Sequence, residues 1–301
     1  MALEYIKICP VCKADSLKHY LNVKDYSVSQ EEFVLQRCPD CNMIITNPRP
    51  NVESIERYYA SDNYISHANR STSLFDKIYF VARNLTLNWK YHIIKELAPN
   101  PGKLLDYGCG TGQFLSFMKT KKWNVSGIEP NDKARQKANE LLNNTILKEP
   151  DRIINHSFEV ITLWHVLEHI HDINETLQKL KSQLISNGYL IIAVPNPNSY
   201  DCKFYKNVWA AYDVPRHLWH ITRETMSTLL KINGFNLIET RPMKLDSYYV
   251  SLLSEGYKKP KQLKLITGLK ALIIGFLSNL YAIKSKEYSS IIYIAQQNET
   301  K

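Results

Sequence analysis

The feature that most constrains this sequence is an apolar segment that ends in an acid and continues into a glycine-rich turn. Residues 103–107 have the length and apolar character of a strand, and three glycines follow at alternate positions, Gly108, Gly110 and Gly112. Glycine accepts positive φ and lets the backbone approach a ligand closely. A dinucleotide-binding turn needs the spacing G-x-G-x-x-G, but Gln113 stands where its third glycine would be. The turn is therefore predicted to bind a different cofactor.

Short apolar runs alternate with amphipathic patterns after residue 101. Strands alternating with helices indicate a parallel sheet covered by helices on both faces, an α/β fold of Rossmann-like type. The predicted strands are 103–107, 124–129, 158–164, 189–194, 236–241 and 290–296. The predicted helices are 113–121, 133–142, 173–184 and 223–232, the last opened by Thr222.

The spacing D-x-G-x-G-x-G, from Asp106 to Gly112, resembles the first motif of class I S-adenosylmethionine-dependent methyltransferases. The resemblance implies a mostly parallel sheet with an antiparallel last strand. It implies that Asp106 acts near the ammonium group of the cofactor and that Glu129, at the tip of the next strand, takes both ribose hydroxyls. A structural turn with a surface glutamate is the alternative. The implied cofactor-binding residues are Asp106, Gly108, Cys109, Gly110, Gln113, Phe114, Glu129, Pro130, Trp164 and His165.

Two later segments resemble the same superfamily. The strand predicted at 158–164 runs into the sequence H-V-L-E-H, which begins at His165 and resembles the turn beside the sulfonium. The segment from Ser186 resembles the glycine pair that opens the fifth strand, with Tyr189 in place of one glycine. His165 is thus a catalytic candidate near the cofactor, with capping or packing of the next helix as the alternative. For His169 the structural role is favoured.

Four of the six cysteines form two C-x-x-C pairs, Cys9 with Cys12 and Cys38 with Cys41. Two such turns can complete a tetrahedral site with four thiolates, which leaves no open position and indicates a structural zinc. A redox dithiol is the alternative. The first residues do not look like a secretory signal, so a reducing cytoplasm is expected.

The segment from Cys38 through Pro48, Arg49 and Pro50 to Tyr58 and Tyr59 resembles one branch of the superfamily. Members of that branch carry an N-terminal zinc ribbon and are similar to deoxysugar and surface-polysaccharide methyltransferases. The expected domains are a zinc ribbon at 1–50, a helical linker or cap at 51–100, and a methyltransferase domain at 101–301 with a basic apolar insertion at about 245–287. Tyr59 or Tyr64 either reaches the cofactor pocket or packs the linker helix.

A polar and aromatic loop follows the strand predicted at 189–194, at the edge of the sheet where α/β folds bind ligands. Neutral histidine suits removal of a proton from a hydroxyl acceptor. His217 and His220 are therefore the predicted bases, with Asp213 or Glu168 as orienting acids. Arg216 either binds an anionic group of the substrate or braces the loop by pairing with Asp213.

The net charge of +9 is concentrated in one late segment. It contains no acid and seven lysines, at positions 258, 259, 261, 264, 270, 284 and 286. A basic protein can bind nucleic acid, but charge confined to one segment indicates a local basic surface. The apolar helix predicted at 263–283 has an uncharged run of 13 residues. That is short for a membrane span and suits an interfacial helix, with a buried lid or a dimer helix as the alternative.

Together these features predict a cytoplasmic methyltransferase for a hydroxyl or carbon of a sugar or lipid-linked glycan intermediate. The expected partners are a small-molecule or glycan acceptor, no nucleic acid, and the inner face of the membrane through 258–286. One alternative is a methyltransferase for a quinone-like or lipid acceptor. The alternative of another class is a zinc-ribbon nucleic-acid-binding protein.

Overall fold

A computed structural model describes residues 2–59, 74–143, 146–149, 157–258 and 264–298. The strands of these ranges are β1 (Leu3–Glu4), β2 (Lys18–Lys24), β3 (Glu32–Arg37), β4 (Ile44–Thr46), β5 (Arg49–Pro50), β6 (Lys103–Tyr107), β7 (Asn124–Ile128), β8 (Ile146–Leu147), β9 (Phe158–Trp164), β10 (Leu184–Pro195), β11 (Trp219–His220), β12 (Phe235–Pro242) and β13 (Ser290–Gln297). The α-helices are α1 (Leu74–Leu97), α2 (Gln113–Thr120), α3 (Asp132–Leu142), α4 (Ile173–Gln183), α5 (Tyr200–Tyr205), α6 (Arg223–Ile232), α7 (Asp246–Lys258) and α8 (Lys264–Ser285).

Seven of these strands form one sheet in the order β12-β13-β10-β9-β6-β7-β8. β6 pairs in parallel with β7 and β9, and β7 pairs in parallel with β8. The predicted fold class, a Rossmann-like methyltransferase sheet that is mostly parallel with an antiparallel strand, is confirmed. The predicted strand and helix ends agree with the structure to one residue, with two exceptions: β10 begins at Leu184 rather than at residue 189, and α8 ends at Ser285 rather than at residue 283.

The chain forms two compact units, and the unit of Asp62–Trp164, Lys179–Ile191 and Ala295–Lys301 contains the glycine turn. Its strands are buried apolar runs, as expected for parallel strands covered on both faces. Leu104 and Leu105 of β6 and Val160 and Ile161 of β9 have no exposed surface. This core fixes the position at which β6 ends and the glycine turn begins.

The other unit comprises Met1–Ser61, His165–Gln178 and Ile192–Ile294. Its N-terminal strands join β11 in a four-stranded sheet ordered β11-β4-β3-β2, whose strand pairs are antiparallel. Alternate residues of β3, Phe33 and Leu35, pack in one buried cluster with Tyr58, Trp209 and Tyr212. The aromatic loop after β10 is therefore part of the same core as the N-terminal strands. The division predicted at residues 50 and 100 does not coincide with these units and stays a prediction.

Helix α8 has two unlike faces. Its buried face carries small residues as well as Ile274, and Ala271, Ser278 and Ala282 are almost inaccessible. Ser278 donates to the buried carboxylate of Asp201 at 2.6 Å. The opposite face is large, apolar and exposed, and consists of Leu265, Leu269, Leu272, Ile273, Phe276, Leu280 and Ile283. By length and composition alone, Leu265–Ser285 is also long and apolar enough to cross a membrane. Of the 18-residue window that meets this criterion, 33% is buried in the protein.

Candidate functional site

The glycine turn combines left-handed backbone with one position that opens to free space. Gly108, Gly110 and Gly112 have φ values of 73°, 56° and 76°. The amide nitrogens of Gly108 and Cys109 donate to the carbonyl of Ile128 at 2.8 and 3.0 Å, which ties the turn to the end of β7. A Cβ on Gly112 would lie 3.0 Å from side-chain atoms of α3, whereas a Cβ on Gly110 would meet no atom within 4 Å. Gly112 therefore permits helix packing, and Gly110 leaves room for a ligand.

Asp106 lies at the end of β6 with 3% of its surface exposed. The Thr162 hydroxyl, from the paired position on β9, donates to its carboxylate at 2.6 Å. Burial raises the pKa of Asp106 to about 7, against the opposing effects of the Thr162 hydrogen bond and the Lys90 charge. A nearly inaccessible acid with one short hydrogen bond can bind a cationic group of a ligand strongly.

Glu129 is buried rather than a surface glutamate. Its carboxylate accepts from the amides of Gly110 at 2.8 Å and Asn131 at 2.9 Å. Burial raises the pKa of Glu129, and these two hydrogen bonds oppose the rise. Each carboxylate oxygen can accept more than one hydrogen bond, so Glu129 can brace the glycine turn and still bind two hydroxyls.

Aromatic rings form a further wall of this site. Phe114, in the first turn of α2, contacts Trp164 edge to face with ring centroids 5.8 Å apart. The ammonium of Lys90 lies 4.1 Å from the Trp164 ring centroid, and the buried Trp164 indole nitrogen has no hydrogen bond among the described residues. Aromatic faces attract cations, so this wall suits a sulfonium. Lys90 was not predicted, because nothing in the sequence shows which side of α1 faces Trp164.

The remaining predicted cofactor residues flank these groups. Cys109 is buried inside the turn, Gln113 is half-buried at the start of α2, and Pro130 is exposed just after Glu129. An acid at the strand end, an open glycine, a second acid and an aromatic wall fit the ammonium, ribose and sulfonium groups of S-adenosylmethionine. The cofactor roles of the individual residues stay predictions.

A family model described as a methyltransferase domain matches residues 76–240, more than half of the chain. The chain belongs to this methyltransferase family. It is an S-adenosylmethionine-dependent enzyme, so a nucleic-acid-binding protein with a vestigial cofactor fold is not supported. No curated protein matches the chain.

Several solved structures are similar to this methyltransferase in fold. A mycolic acid cyclopropane synthase complexed with S-adenosylhomocysteine has a TM-score of 0.53 at 13% identity, covering 83% of this chain and 99% of its own. Magnesium protoporphyrin IX methyltransferase from Synechocystis PCC 6803, with bound S-adenosylhomocysteine, has a TM-score of 0.50 at 16% identity, covering 81% and 99%. Plantazolicin methyltransferase, also in complex with S-adenosylhomocysteine, has a TM-score of 0.50 at 14% identity, covering 81% and 93%. At these identities the likeness shows the fold alone.

A cluster of histidines and acids lies in the unit that contains the N-terminal strands. Glu168 and His169 belong to a single 3₁₀ turn, Leu167–His169, and His217 belongs to the loop before β11. The rings of His169 and His217 meet edge to face with centroids 4.6 Å apart. The H-V-L-E-H segment and the loop after β10, which were predicted separately, thus meet in one place.

His165 directly follows Trp164 in the chain and has a left-handed backbone, with φ 57°. Its Nε2 lies 3.1 Å from the Asp246 carboxylate and its Nδ1 lies 3.5 Å from that of Glu168. Burial opposes protonation, but the two carboxylates prevail and raise the pKa of His165 to about 10. His165 is therefore a cation at neutral pH. Asp246, at the start of α7, was not predicted because no local pattern relates it to His165.

His220 is buried, and its Nε2 lies 3.0 Å from the Thr46 hydroxyl. That hydroxyl donates its own hydrogen to the His217 carbonyl at 2.7 Å, so Nε2 of His220 is the donor to Thr46. Burial lowers the pKa of His220 well below its ordinary value, which keeps the ring neutral. The catalytic assignment of His220 stays a prediction, and its observed contacts join β11 to β4.

Arg216 braces the loop, as in the second alternative predicted for it. It makes two hydrogen bonds to Asp213, at 2.7 and 2.9 Å, and one to Asp25 at 3.1 Å. It also donates to the Tyr58 carbonyl at 2.9 Å. The Tyr59 hydroxyl lies 3.0 Å from His169 Nδ1, beside the histidine cluster. Tyr64 lies outside the described residues.

The four N-terminal cysteines converge in two equivalent turns. Sγ atoms lie 3.4 Å apart in two pairs, Cys9 with Cys41 and Cys12 with Cys38, and all four lie within 4.8 Å of one another. Zn–S bonds of about 2.3 Å place tetrahedral sulfurs about 3.8 Å apart. The residues that follow the two pairs, Lys13 and Asn42, both adopt left-handed backbone, with φ 66° and 63°. The geometry fits a small zinc site.

Proposed function

We propose that this methyltransferase acts on a hydroxyl or carbon of a sugar or of a lipid-linked glycan intermediate, with a hydroxyl as the favoured acceptor. The observation that carries the proposal is the buried His217, whose Nδ1 lies 2.9 Å from the Ala211 carbonyl. A carbonyl only accepts, so Nδ1 carries the hydrogen and Nε2 of the neutral ring has a free lone pair. A hydroxyl acceptor needs such a group, because its proton must be removed. The resemblance of the N-terminal segment to polysaccharide methyltransferases supports a sugar.

The bound cofactor supplies a methyl carbon attached to a positively charged sulfur. In this proposal, Asp106 would bind the cofactor ammonium, Glu129 would bind the ribose hydroxyls, and Trp164 would present its ring to the positive charge. His217 Nε2 would accept the proton of the acceptor hydroxyl, whose oxygen takes the methyl group that the sulfur gives up. His165, a cation whose two ring nitrogens face the carboxylates of Asp246 and Glu168, does not act as a base in this proposal.

His217→Ala is expected to lower kcat by roughly 10²- to 10⁴-fold, the usual contribution of a general base. The dissociation constant for S-adenosylhomocysteine should stay near that of the wild type, because the base acts on the acceptor. Transfer of radiolabelled methyl groups to a panel of nucleotide sugars and lipid-linked glycans measures kcat, and calorimetry measures the cofactor. His19→Ala, at an exposed histidine on β2, is the matched control. If His217→Ala and His220→Ala both turn over at the wild-type rate, neither histidine is the base.

Peripheral membrane contact through α8 is a second part of the proposal. The exposed apolar face of α8 is flanked by four exposed lysines, Lys258, Lys270, Lys284 and Lys286. Each lysine near an anionic lipid surface contributes about 1 kcal/mol to the free energy of membrane binding. The Ser278 hydroxyl and buried Asp201 tie the other face of α8 to the protein. A spanning helix would break that contact, whereas an interfacial helix keeps it. In this proposal the protein works at the cytoplasmic face of the membrane, where a lipid-linked glycan, or a quinone-like acceptor as the alternative, is accessible.

Sedimentation with vesicles of half phosphatidylglycerol and half phosphatidylcholine tests this contact. The wild type should bind at low salt and release as salt rises, because the attraction of the lysines is screened. Changing Leu272, Ile273 and Phe276 to Ser should abolish binding. The matched control changes three exposed apolar residues elsewhere, Val52, Leu141 and Ile238, and should bind normally. If the wild type does not sediment with the vesicles at low salt, the proposed membrane contact is wrong. The role of α8 is then that of a lid or a dimer contact.

The four N-terminal cysteines complete the proposal as a structural zinc site. The convergence of four Sγ atoms in two equivalent turns supports it, because a redox dithiol needs one pair and not two. Four protein thiolates leave no position for a substrate. The zinc would therefore hold the N-terminal turns together and take no part in methyl transfer.

A further inference from the structure

Glu168 is the least explained polar side chain of the histidine cluster. Only 1% of its surface is exposed, and neither carboxylate oxygen has a hydrogen bond among the described residues. The nearest cationic group is His165, with Nδ1 at 3.5 Å from Oε1. A buried carboxylate without hydrogen bonds costs free energy unless it is paired or coordinates a metal. One ring contact outside hydrogen-bonding geometry leaves most of the oxygen lone pairs of Glu168 without a partner.

Two imidazole rings lie beside the Glu168 carboxylate. The Nδ1 atoms of His169 and His217 lie 3.0 and 2.9 Å from the backbone carbonyls of Arg216 and Ala211. Since carbonyls only accept, Nδ1 of His217 carries the hydrogen and its Nε2 is free to bind. Nδ1 of His169 also lies 3.0 Å from the Tyr59 hydroxyl, and the tautomer in which it donates to Arg216 has a bare Nε2 as well. A ring nitrogen that donates to a carbonyl while the other stays bare is the usual state of a metal-binding histidine.

We propose that Glu168, His169 and His217 form a binding site for one divalent first-row cation such as Mn²⁺. One donor atom from each residue lies within 4.8 Å of the other two, and Glu168 Oε1 lies 4.0 Å from His217 Nε2. Small side-chain rotations bring such donors to bonding distance. A set of two nitrogens and one carboxylate suits Mn²⁺, Fe²⁺ or Co²⁺ better than Mg²⁺ or Ca²⁺, which prefer oxygen ligands only.

Charged groups around the three donors are consistent with such a site. Asp213, 3.9 Å from His217 Nε2, is paired with Arg216 and so neutralised. His165 contacts the Glu168 carboxylate and is itself held in place by Asp246. It therefore orients one carboxylate oxygen of Glu168, the proposed metal-binding residue. The three protein donors are fewer than the six ligands that Mn²⁺ usually takes, which leaves positions for an oxygen of the acceptor.

The role of the cation rests on the proposed function, whereas its binding does not. A bound cation would lower the pKa of an acceptor hydroxyl that it coordinates, so that the hydroxyl would give its proton to water and its oxygen would take the methyl group. In the cation-free protein His217 is the base proposed above, and in the cation-bound protein it is a ligand and the cation activates the hydroxyl instead. Both roles of His217, as base and as metal ligand, predict that turnover falls in His217→Ala. Only the role as a ligand predicts that turnover also depends on the cation.

The test is titration of the zinc-containing protein with Mn²⁺ alone, followed by calorimetry and by electron paramagnetic resonance. Elemental analysis of the same sample counts any cation already bound besides zinc. One Mn²⁺ per chain, or one cation already in place, is expected. Glu168→Gln and His217→Ala should each weaken binding at least tenfold, and His19→Ala should leave it unchanged.

Binding of S-adenosylhomocysteine by each variant shows that it has folded. The inference is overturned if the folded wild type holds no second cation and binds no Mn²⁺ at 1 mM, or if Mn²⁺ binds equally well to Glu168→Gln and His217→Ala. Mn²⁺ binding without methyl transfer to any glycan acceptor would count against the proposed function and leave the metal site standing.

Discussion

Asp106→Asn is expected to abolish most cofactor affinity and to make the cofactor-free protein more stable. A hydrogen bond to a charged group contributes about 1.5–3 kcal/mol, so loss of the carboxylate should raise the dissociation constant for S-adenosylhomocysteine roughly tenfold to a hundredfold. The substitution keeps the oxygen that accepts from Thr162, so the β6–β9 pair should be undisturbed. Calorimetry with S-adenosylhomocysteine measures the loss. Asp15→Asn, at an exposed acid, should bind like the wild type.

The gain in stability follows from the direction of the pKa change. Burial raises the pKa of Asp106 to about 7 in the folded protein, whereas an unfolded chain has about 3.9. The folded state therefore holds the proton more tightly, and this group lowers the free energy of unfolding as the pH rises from about 4 to about 7. At pH 8 the asparagine removes a buried charge and should stabilise the cofactor-free protein by about 1–2 kcal/mol. Below pH 4 the difference should vanish.

The same titration predicts the pH dependence of cofactor binding. A protonated Asp106 does not attract an ammonium group, so the affinity of the wild type should fall as the pH drops below about 7. Asp106→Asn should show weak affinity with little dependence on pH over this range. A variant that binds as tightly as the wild type, or a wild type whose affinity is flat from pH 5 to 8, would contradict the assignment of Asp106.

Cys38→Ser is expected to release the zinc and to destabilise the unit that contains the N-terminal strands. Structural zinc sites contribute apparent binding free energies of about 10–16 kcal/mol in isolated zinc fingers. The buried cluster of Phe33, Leu35 and Tyr58 retains part of the stability here. We therefore expect zinc content to fall from one per chain to nearly none and the Tm to fall by at least about 5 °C, a loss of more than 1 kcal/mol.

Cys202→Ser is the matched control for the zinc site. Cys202 is also buried, but its thiol contacts the Tyr212 hydroxyl and lies outside the four-cysteine group. It should keep one zinc per chain. A wild type without zinc, with four thiols that react freely and a Tm equal to that of Cys38→Ser, would show that the cysteines do not hold a structural metal.

Much of the fold follows from local sequence patterns. The apolar runs of β6 and β9 are each bounded by residues that end a strand, so both strands are predicted at their observed ends. Thr222 begins α6 because its hydroxyl accepts from the Thr225 amide, a cap that the sequence shows directly. β10 begins five residues before the predicted start, because the exposed polar residues Ser186 and Asn187 interrupt the apolar pattern although the strand continues through them.

Contacts between distant residues could not be predicted in the same way. His165 and Asp246, Arg216 and Asp25, and Lys90 and Trp164 are each brought together by the packing of whole elements. The sequence motifs point to Glu168, His169 and His217 one at a time. Only the folded chain shows that their donor atoms converge. The sequence thus predicts binding residues that lie close together along the chain around one turn. It does not predict a site whose residues come from several separate loops.

The central claim is that the glycine turn after β6 binds S-adenosylmethionine, and calorimetry of the wild type tests it most directly. Parallel titrations with S-adenosylhomocysteine and NAD should give one S-adenosylhomocysteine site per chain with a micromolar dissociation constant and no measurable binding of NAD. Tight binding of NAD, or no heat of binding for S-adenosylhomocysteine between pH 7 and 8, would contradict the account.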